Sequence, residues 1–128
     1  MHSPDLRSPL KRAAGLGSAG DGVGRWWMER VTAVALVPLA LWFVASIIAL
    51  AGSDHAAFVA WLREPLAALL MVLLLATLFA HLALGLQVVI EDYVHSAAKV
   101  PALLAVRFGC ATLATAGVLA TLRITFGG

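Results

Sequence analysis

Three long apolar runs dominate this chain of 128 residues. They cover about residues 31–50, 65–90 and 102–126, and each reaches the roughly 20 residues that a helix needs to cross a bilayer. A polar stretch rich in Gly, Ser, Pro and Arg precedes them at residues 1–25. The sequence therefore predicts an all-α membrane protein, in which a flexible tail leads into a membrane region of three transmembrane helices at residues 26–128.

The composition agrees with a membrane location and excludes several other functions. Hydrophobic residues make up 62% of the chain and charged residues 12%, with a mean hydropathy of +0.94, which is far more apolar than a soluble domain. The net charge is +2, but the basic residues form no continuous patch, so nucleic acid is not an expected partner. Because Cys110 is the only cysteine, any iron-sulfur cluster must belong to another subunit.

The basic residues are divided unequally between the two sides that three spans define. Arg63 and Arg123 fall on one side. The other seven fall on the opposite side: Arg7, Lys11, Arg12, Arg25, Arg30, Lys99 and Arg107. Since cytoplasmic segments of membrane proteins are enriched in Lys and Arg, this bias predicts a cytoplasmic N-terminus and a cytoplasmic loop at residues 91–100.

The second span contains a histidine, His81. An imidazole is costly in hydrocarbon, so it usually marks an ion path, a proton relay or a metal ligand. At 100° per residue, His81 shares a helix face with Gly85 and Asp92. Gly85 lies one turn after the histidine and lacks the side chain that would obstruct a flat macrocycle. This pattern predicts a haem bound through His81; the alternative is a histidine bonded to a neighbouring helix, with Gly85 serving helix packing.

A haem with two axial ligands requires a partner for this chain. No second histidine lies at membrane depth, and Met71 is about 15 Å from His81 along the same helix, too far to reach the opposite haem face. The sixth ligand must therefore come from another polypeptide. If haem is correct, the chain is half of a heterodimeric haem-binding bundle.

Three further side chains are candidate site residues near the predicted cytoplasmic surface. Tyr93 can donate a hydrogen bond to a quinone carbonyl, and Asp92 beside it can orient the phenol or relay protons. Arg30, at the head of the first span, suits an anionic partner such as a haem propionate. The alternatives are an interfacial tyrosine beside a solvated acid, and an arginine that serves topology alone.

The residues His81, Gly85, Asp92 and Tyr93, in the pattern H-x3-G-x6-D-Y, closely resemble the signature of the small hydrophobic membrane anchor of succinate dehydrogenase. The segment Arg30-Val31-Thr32-Ala33 resembles the start of the first helix in that family. The resemblance covers roughly residues 25–126.

This resemblance implies a role in respiratory complex II of the bacterial inner (cytoplasmic) membrane. A three-helix subunit of this kind pairs with a cytochrome b556 subunit, and together they dock a flavoprotein and an iron-sulfur protein. By the resemblance, His81 ligates haem b, Tyr93 hydrogen-bonds ubiquinone, Asp92 lies beside that site and Arg30 neighbours the haem propionates. Electrons from succinate would pass through the soluble subunits to ubiquinone, and this chain would be a non-catalytic subunit.

Two other hypotheses stay open at this point. His81 and Asp92 on one helix face are compatible with a small proton-conducting channel or transporter subunit, although the roughly 16 Å between them is bridged by apolar residues. The chain is also compatible with a purely structural assembly subunit, in which neither residue binds a cofactor.

Overall fold

A computed structural model describes residues 17–127, with side chains from residue 23 onward. Within this range the chain is entirely helical, with no strand. The four helices are α1 (Gly17–Leu50), α2 (His55–Arg63), α3 (Pro65–Tyr93) and α4 (Lys99–Phe126). Three segments are long and apolar enough to cross a membrane, namely Val23–Leu50, Pro65–Tyr93 and Lys99–Phe126. The prediction of an all-α membrane protein with three spans is thus confirmed.

The first helix starts earlier than the sequence predicted. It begins at Gly17, so residues 17–25, which the prediction assigned to the tail, are helical. Extending an existing helix by one residue adds a hydrogen bond without a new nucleation cost, which explains how a Gly-rich segment can continue a stable apolar helix. Residues 1–16 lie outside the described residues, and the predicted tail there stays a prediction.

The connection between the first two spans contains a short helix that the sequence analysis missed. The backbone N–H of Ala57 donates to the Asp54 carboxylate over 3.0 Å, so Asp54 is the N-cap of α2. The helix ends at Arg63, and Pro65 then occupies the first turn of α3, where its missing N–H costs no hydrogen bond. The available sequence signal for this helix was Asp54 itself, because aspartate is a favoured N-cap residue.

The third helix is the centre of the bundle. It packs against α1 on one side and α4 on another, and α2 covers its first turns. Leu62, Met71 and Leu74 form the buried core, against which Trp42 and Trp61 stack with ring centroids 5.5 Å apart. Most other large apolar side chains are exposed, as expected for a chain whose surroundings are lipid rather than water.

The side of α3 that the bundle leaves uncovered changes along the helix. Leu73 in the first half is 45% exposed and Leu82 in the second half is 41% exposed, although nine residues of helix turn these positions about 180° apart. In the second half the uncovered side also carries Leu78, Leu86 and Val89. The half of α3 that ends at Tyr93 therefore has an apolar face that no part of the described chain covers.

Candidate cofactor site

The His81 side chain is held by the first helix. Its Nδ1 atom lies 2.9 Å from Oγ1 of Thr32 on α1. Thr32 is buried, with 5% of its surface exposed, and its Oγ1 also lies 2.6 Å from the backbone oxygen of Met28, one turn earlier. The histidine is half-buried. A side-chain hydrogen bond between α1 and α3 thus fixes one edge of the imidazole ring.

The two contacts of Thr32 together determine which nitrogen of His81 carries the proton. A hydroxyl has one proton to donate, and the 2.6 Å contact directs it to the carbonyl of Met28, which accepts only. Thr32 then accepts from His81, so the proton is on Nδ1 and Nε2 carries the lone pair. Among the described residues, every buried side-chain nitrogen has a hydrogen-bond partner. Nε2 of His81 has no hydrogen-bond partner among these residues, so it is not buried and is accessible from outside the chain.

The space beside His81 is open at Gly85. A Cβ atom built on Gly85 meets nothing within 4 Å, and the residue is exposed. At Gly117 of α4, by contrast, a Cβ atom meets the Leu75 side chain at 3.1 Å. Helix packing within this chain therefore explains Gly117 but not Gly85, whose missing side chain leaves clearance on the uncovered face of α3.

Asp92 and Tyr93 lie at the last turn of α3 and are both exposed. Tyr93 has 79% of its surface exposed, and neither side chain has a hydrogen-bond partner among the described residues. The phenol and the carboxylate are consequently free to contact a ligand or another subunit at this end of the bundle. The sequence predicted their position at the helix end, and the structure places them there.

A network beside them was not predicted. Arg25 of α1 pairs with Glu91 of α3, with Nη1 2.7 Å from Oε1 and Nη2 3.3 Å from Oε2. Gln87 donates from Nε2 to the same Oε1 over 2.9 Å. This second bridge joins α1 to α3 at the same end as Tyr93, and no hydrogen bond between described residues connects it to His81.

The structure separates Arg30 from the other candidate residues. Arg30 and Thr32 are about 200° apart around α1, so the arginine lies on the side turned away from His81. It is exposed, and its guanidinium carbon lies 5.3 Å from the ring centroid of Trp26, within the range of a cation–π contact. The arginine of α1 that reaches α3 is Arg25.

Comparison with known proteins shows which family the chain belongs to. Residues 4–119 match the family model described as succinate dehydrogenase/fumarate reductase transmembrane subunit. The chain belongs to this family. It is a multi-pass membrane anchor subunit of the succinate dehydrogenase/fumarate reductase type.

Three relatives carry the name succinate dehydrogenase hydrophobic membrane anchor subunit. The protein of Rickettsia bellii is 34% identical over 70% of this chain and 72% of its own length. That of Paracoccus denitrificans is 32% identical over 94% of this chain and 93% of its own length. That of Rickettsia conorii is 28% identical over 70% of this chain and 72% of its own length. No solved structure gives a significant match.

The described side chains of this anchor subunit fit a haem held by one histidine better than a metal ion held by those residues alone. The described residues contain no group of three or more His, Cys, Asp or Glu side chains that could bind a metal ion. A haem iron needs only one axial ligand from each side. The accessible Nε2 of His81 and the clearance at Gly85 meet that requirement from one helix face.

Thr32 is a residue of this site that the sequence pattern did not predict. The threonine was visible in the segment that resembles the family, yet nothing in its spacing indicates which helix it contacts. A hydroxyl in an apolar span needs a polar partner, and an imidazole in the next span is the obvious candidate. That pairing of two polar groups at membrane depth was the available signal.

Proposed function

We propose that this anchor subunit supplies one axial ligand, Nε2 of His81, to a haem b shared with a cytochrome b556 subunit. We also propose that it forms part of the site at which electrons from succinate reduce ubiquinone. The bound haem would supply one-electron redox chemistry in the membrane. The chain would carry no succinate chemistry, which would belong to a flavoprotein and an iron-sulfur partner.

One observation carries the haem proposal: Nδ1 of His81 is committed to Thr32 at 2.9 Å. A ligating histidine almost always donates its other ring N–H to an acceptor, which fixes the tautomer and the orientation of the ring. A histidine that only packed between helices would have no need for open space one turn later. The clearance at Gly85 therefore favours a ligand over a structural role.

The uncovered face of α3 supports the proposal of a partner subunit. A second axial ligand is needed and no other histidine of the described spans lies near His81. Leu82 and Val89 on this face are 41% and 50% exposed. We propose that a second membrane subunit covers this face and approaches the haem from its other side.

For ubiquinone we propose Tyr93 as hydrogen-bond donor and Asp92 as the neighbouring carboxylate. Both are exposed at the end of α3, roughly 18 Å beyond His81 by helical rise. The excess of basic residues at the same end supports a cytoplasmic location for this site and for the N-terminus, in a bacterial inner membrane.

Arg30 is proposed as the counter-ion of a haem propionate. It lies at the Tyr93 end of the bundle and its guanidinium is exposed, as an anion-binding group must be. Because Arg30 lies on the far side of α1 from Thr32, the contact would require its long side chain to extend along the surface of α1 toward the haem. Arg30→Gln should then alter haem retention less than any change at His81.

The test is a reduced-minus-oxidised difference spectrum of the purified complex that contains this chain. His81→Ala should abolish the α band of haem b. His55→Ala, which changes an exposed histidine of α2, is the matched control and should leave the band unchanged. An unaltered band in His81→Ala would refute the ligand assignment, and proton flux into liposomes without haem or quinone would support a channel instead.

A further inference from the structure

We infer that Thr32 is a positioning residue that sets the electron-donating strength and the orientation of His81, an inference that rests on the proposed haem ligation. Thr32 touches neither haem nor quinone in this scheme. It acts through the single contact between its Oγ1 and Nδ1 of the histidine. The contact lies at the junction of α1 and α3, so the two helices jointly determine the ligand.

The hydroxyl of Thr32 is unusually well fixed for an acceptor. Its proton is directed to the carbonyl of Met28 at 2.6 Å, with the carbonyl of Glu29 also near, at 3.2 Å. A hydroxyl that donates to a carbonyl becomes a better acceptor, since hydrogen bonds in a chain polarise one another. Because Thr32 is 5% exposed, water does not compete for this oxygen. The backbone of α1 thus strengthens the bond that the threonine accepts from His81.

The hydrogen bond to Thr32 changes the basicity of Nε2, the ring nitrogen that would bind the iron. An imidazole that donates from Nδ1 to a good acceptor is more basic at Nε2. A more basic ligand stabilises the oxidised iron more than the reduced iron and lowers the reduction potential. Removing the acceptor should therefore raise the potential of the haem, weaken its retention, and free the ring to rotate about its Cβ–Cγ bond.

A second threonine of the chain provides a matched control. Thr121 of α4 is also buried, with 4% of its surface exposed, and its Oγ1 donates to the carbonyl of Gly117 one turn earlier over 2.9 Å. It shares with Thr32 the burial and the hydrogen bond to the carbonyl four residues earlier, but it has no contact with a histidine. Replacing each by valine removes one internal hydroxyl at nearly constant shape.

The experiment is a potentiometric titration and a low-temperature EPR spectrum of the haem in the purified complex. In Thr32→Val we expect the ratio of reduced to oxidised haem at the wild-type midpoint to rise about fivefold, the effect of one hydrogen bond. We expect haem retention to fall about tenfold, and the EPR g values, which report ring orientation, to shift. Thr121→Val should change none of these, and Thr32→Ser, which keeps the acceptor, should behave as wild type.

The inference is overturned if Thr32→Val matches wild type in potential and g values, or if Thr121→Val produces the same changes. If Thr32→Val does not assemble, Thr32→Cys replaces it, because a thiol is a weaker acceptor of similar size and should shift the potential in the same direction. Failure of the proposed function is separate: it would show as an intact α band in His81→Ala, whatever Thr32 does.

Discussion

Arg25 and Glu91 join the first turns of the membrane-spanning part of α1 to the last turn of α3 through two parallel contacts, at 2.7 Å and 3.3 Å. Two parallel N–H to oxygen contacts fix the relative geometry of an arginine and a carboxylate better than one. Gln87 donates to the same carboxylate and restricts it further. Asp92 and Tyr93 follow Glu91 directly, so this bridge orients the helix turn that carries the proposed quinone site.

Loss of this bridge should weaken the contact between α1 and α3 by a small amount. The two side chains are 32% and 30% exposed, so solvent screens part of the attraction and we expect a coupling free energy of about 0.5–1 kcal/mol. A double-mutant cycle with Arg25→Gln and Glu91→Gln, read from thermal unfolding of the purified complex, measures it. The coupling should shrink at high salt.

The control for this cycle pairs Glu91→Gln with Arg107→Gln, since Arg107 is an exposed arginine of α4 with no contact to Glu91. The two changes should add. A coupling of zero between Arg25 and Glu91 at low salt would contradict the assigned role of the bridge.

The spans and the orientation of His81 relative to Gly85 were predictable because they depend on local properties of the chain. The length of an apolar run determines whether a helix can cross a bilayer, and the helical period determines which residues share a face with His81. The short helix α2 was missed because its sequence was interpreted as a polar connection. Its cap at Asp54 forms a local signal that can be detected without a structure.

The geometry of the two bridges between α1 and α3 depends on contacts between distant residues, which the local pattern of the chain does not determine. Thr32 and His81 are 49 residues apart, and Arg25 and Glu91 are 66 apart. Whether such pairs meet depends on the rotation and the relative depth of two helices. A soluble helix reveals its buried side by an apolar stripe, but α1 is apolar on all sides, so its sequence does not indicate which face meets α3. For that reason the sequence does not single out Arg25 as the arginine that pairs with Glu91.

A large side chain at Gly85 should expel the haem without unfolding the chain. Nothing lies within 4 Å of a Cβ atom at this position, so Gly85→Leu should leave the packing of α1, α3 and α4 intact and occupy the proposed haem face. The haem content of the purified complex, measured by its pyridine haemochrome spectrum, should fall to a small fraction of the wild-type value. Gly109→Leu is the control, because Gly109 of α4 has equally open surroundings.

Equal haem loss in both leucine variants would contradict this prediction, because it would show that bulk anywhere on the membrane surface disrupts assembly. A normal haem content in Gly85→Leu would place the macrocycle elsewhere.

Removal of the Tyr93 hydroxyl should affect quinone reduction alone. The residue is 79% exposed, so Tyr93→Phe loses no packing within the chain, and the lost hydrogen bond to a quinone oxygen that gains negative charge corresponds to a decrease of about tenfold to a hundredfold. Succinate oxidation with an artificial acceptor should be unchanged in the same sample. Equal losses in both assays would indicate defective assembly and would contradict a role at the quinone site.

Close approach of α3 and α4 should depend on the missing side chain at Gly117. A Cβ atom there meets Leu75 at 3.1 Å and 3.3 Å, and helices in lipid associate through such close packing because no hydrophobic effect drives them together. Gly117→Leu should therefore destabilise the complex by about 1–3 kcal/mol, seen as a lower midpoint of thermal unfolding in one detergent, whereas Gly109→Leu should not. Since the conflict is with one side chain, Leu75→Ala should relieve part of it, and the double variant should be more stable than the sum of the single effects predicts. Strict additivity would mean that the two helices already separate in Gly117→Leu, and that the contact with Leu75 does not hold them together.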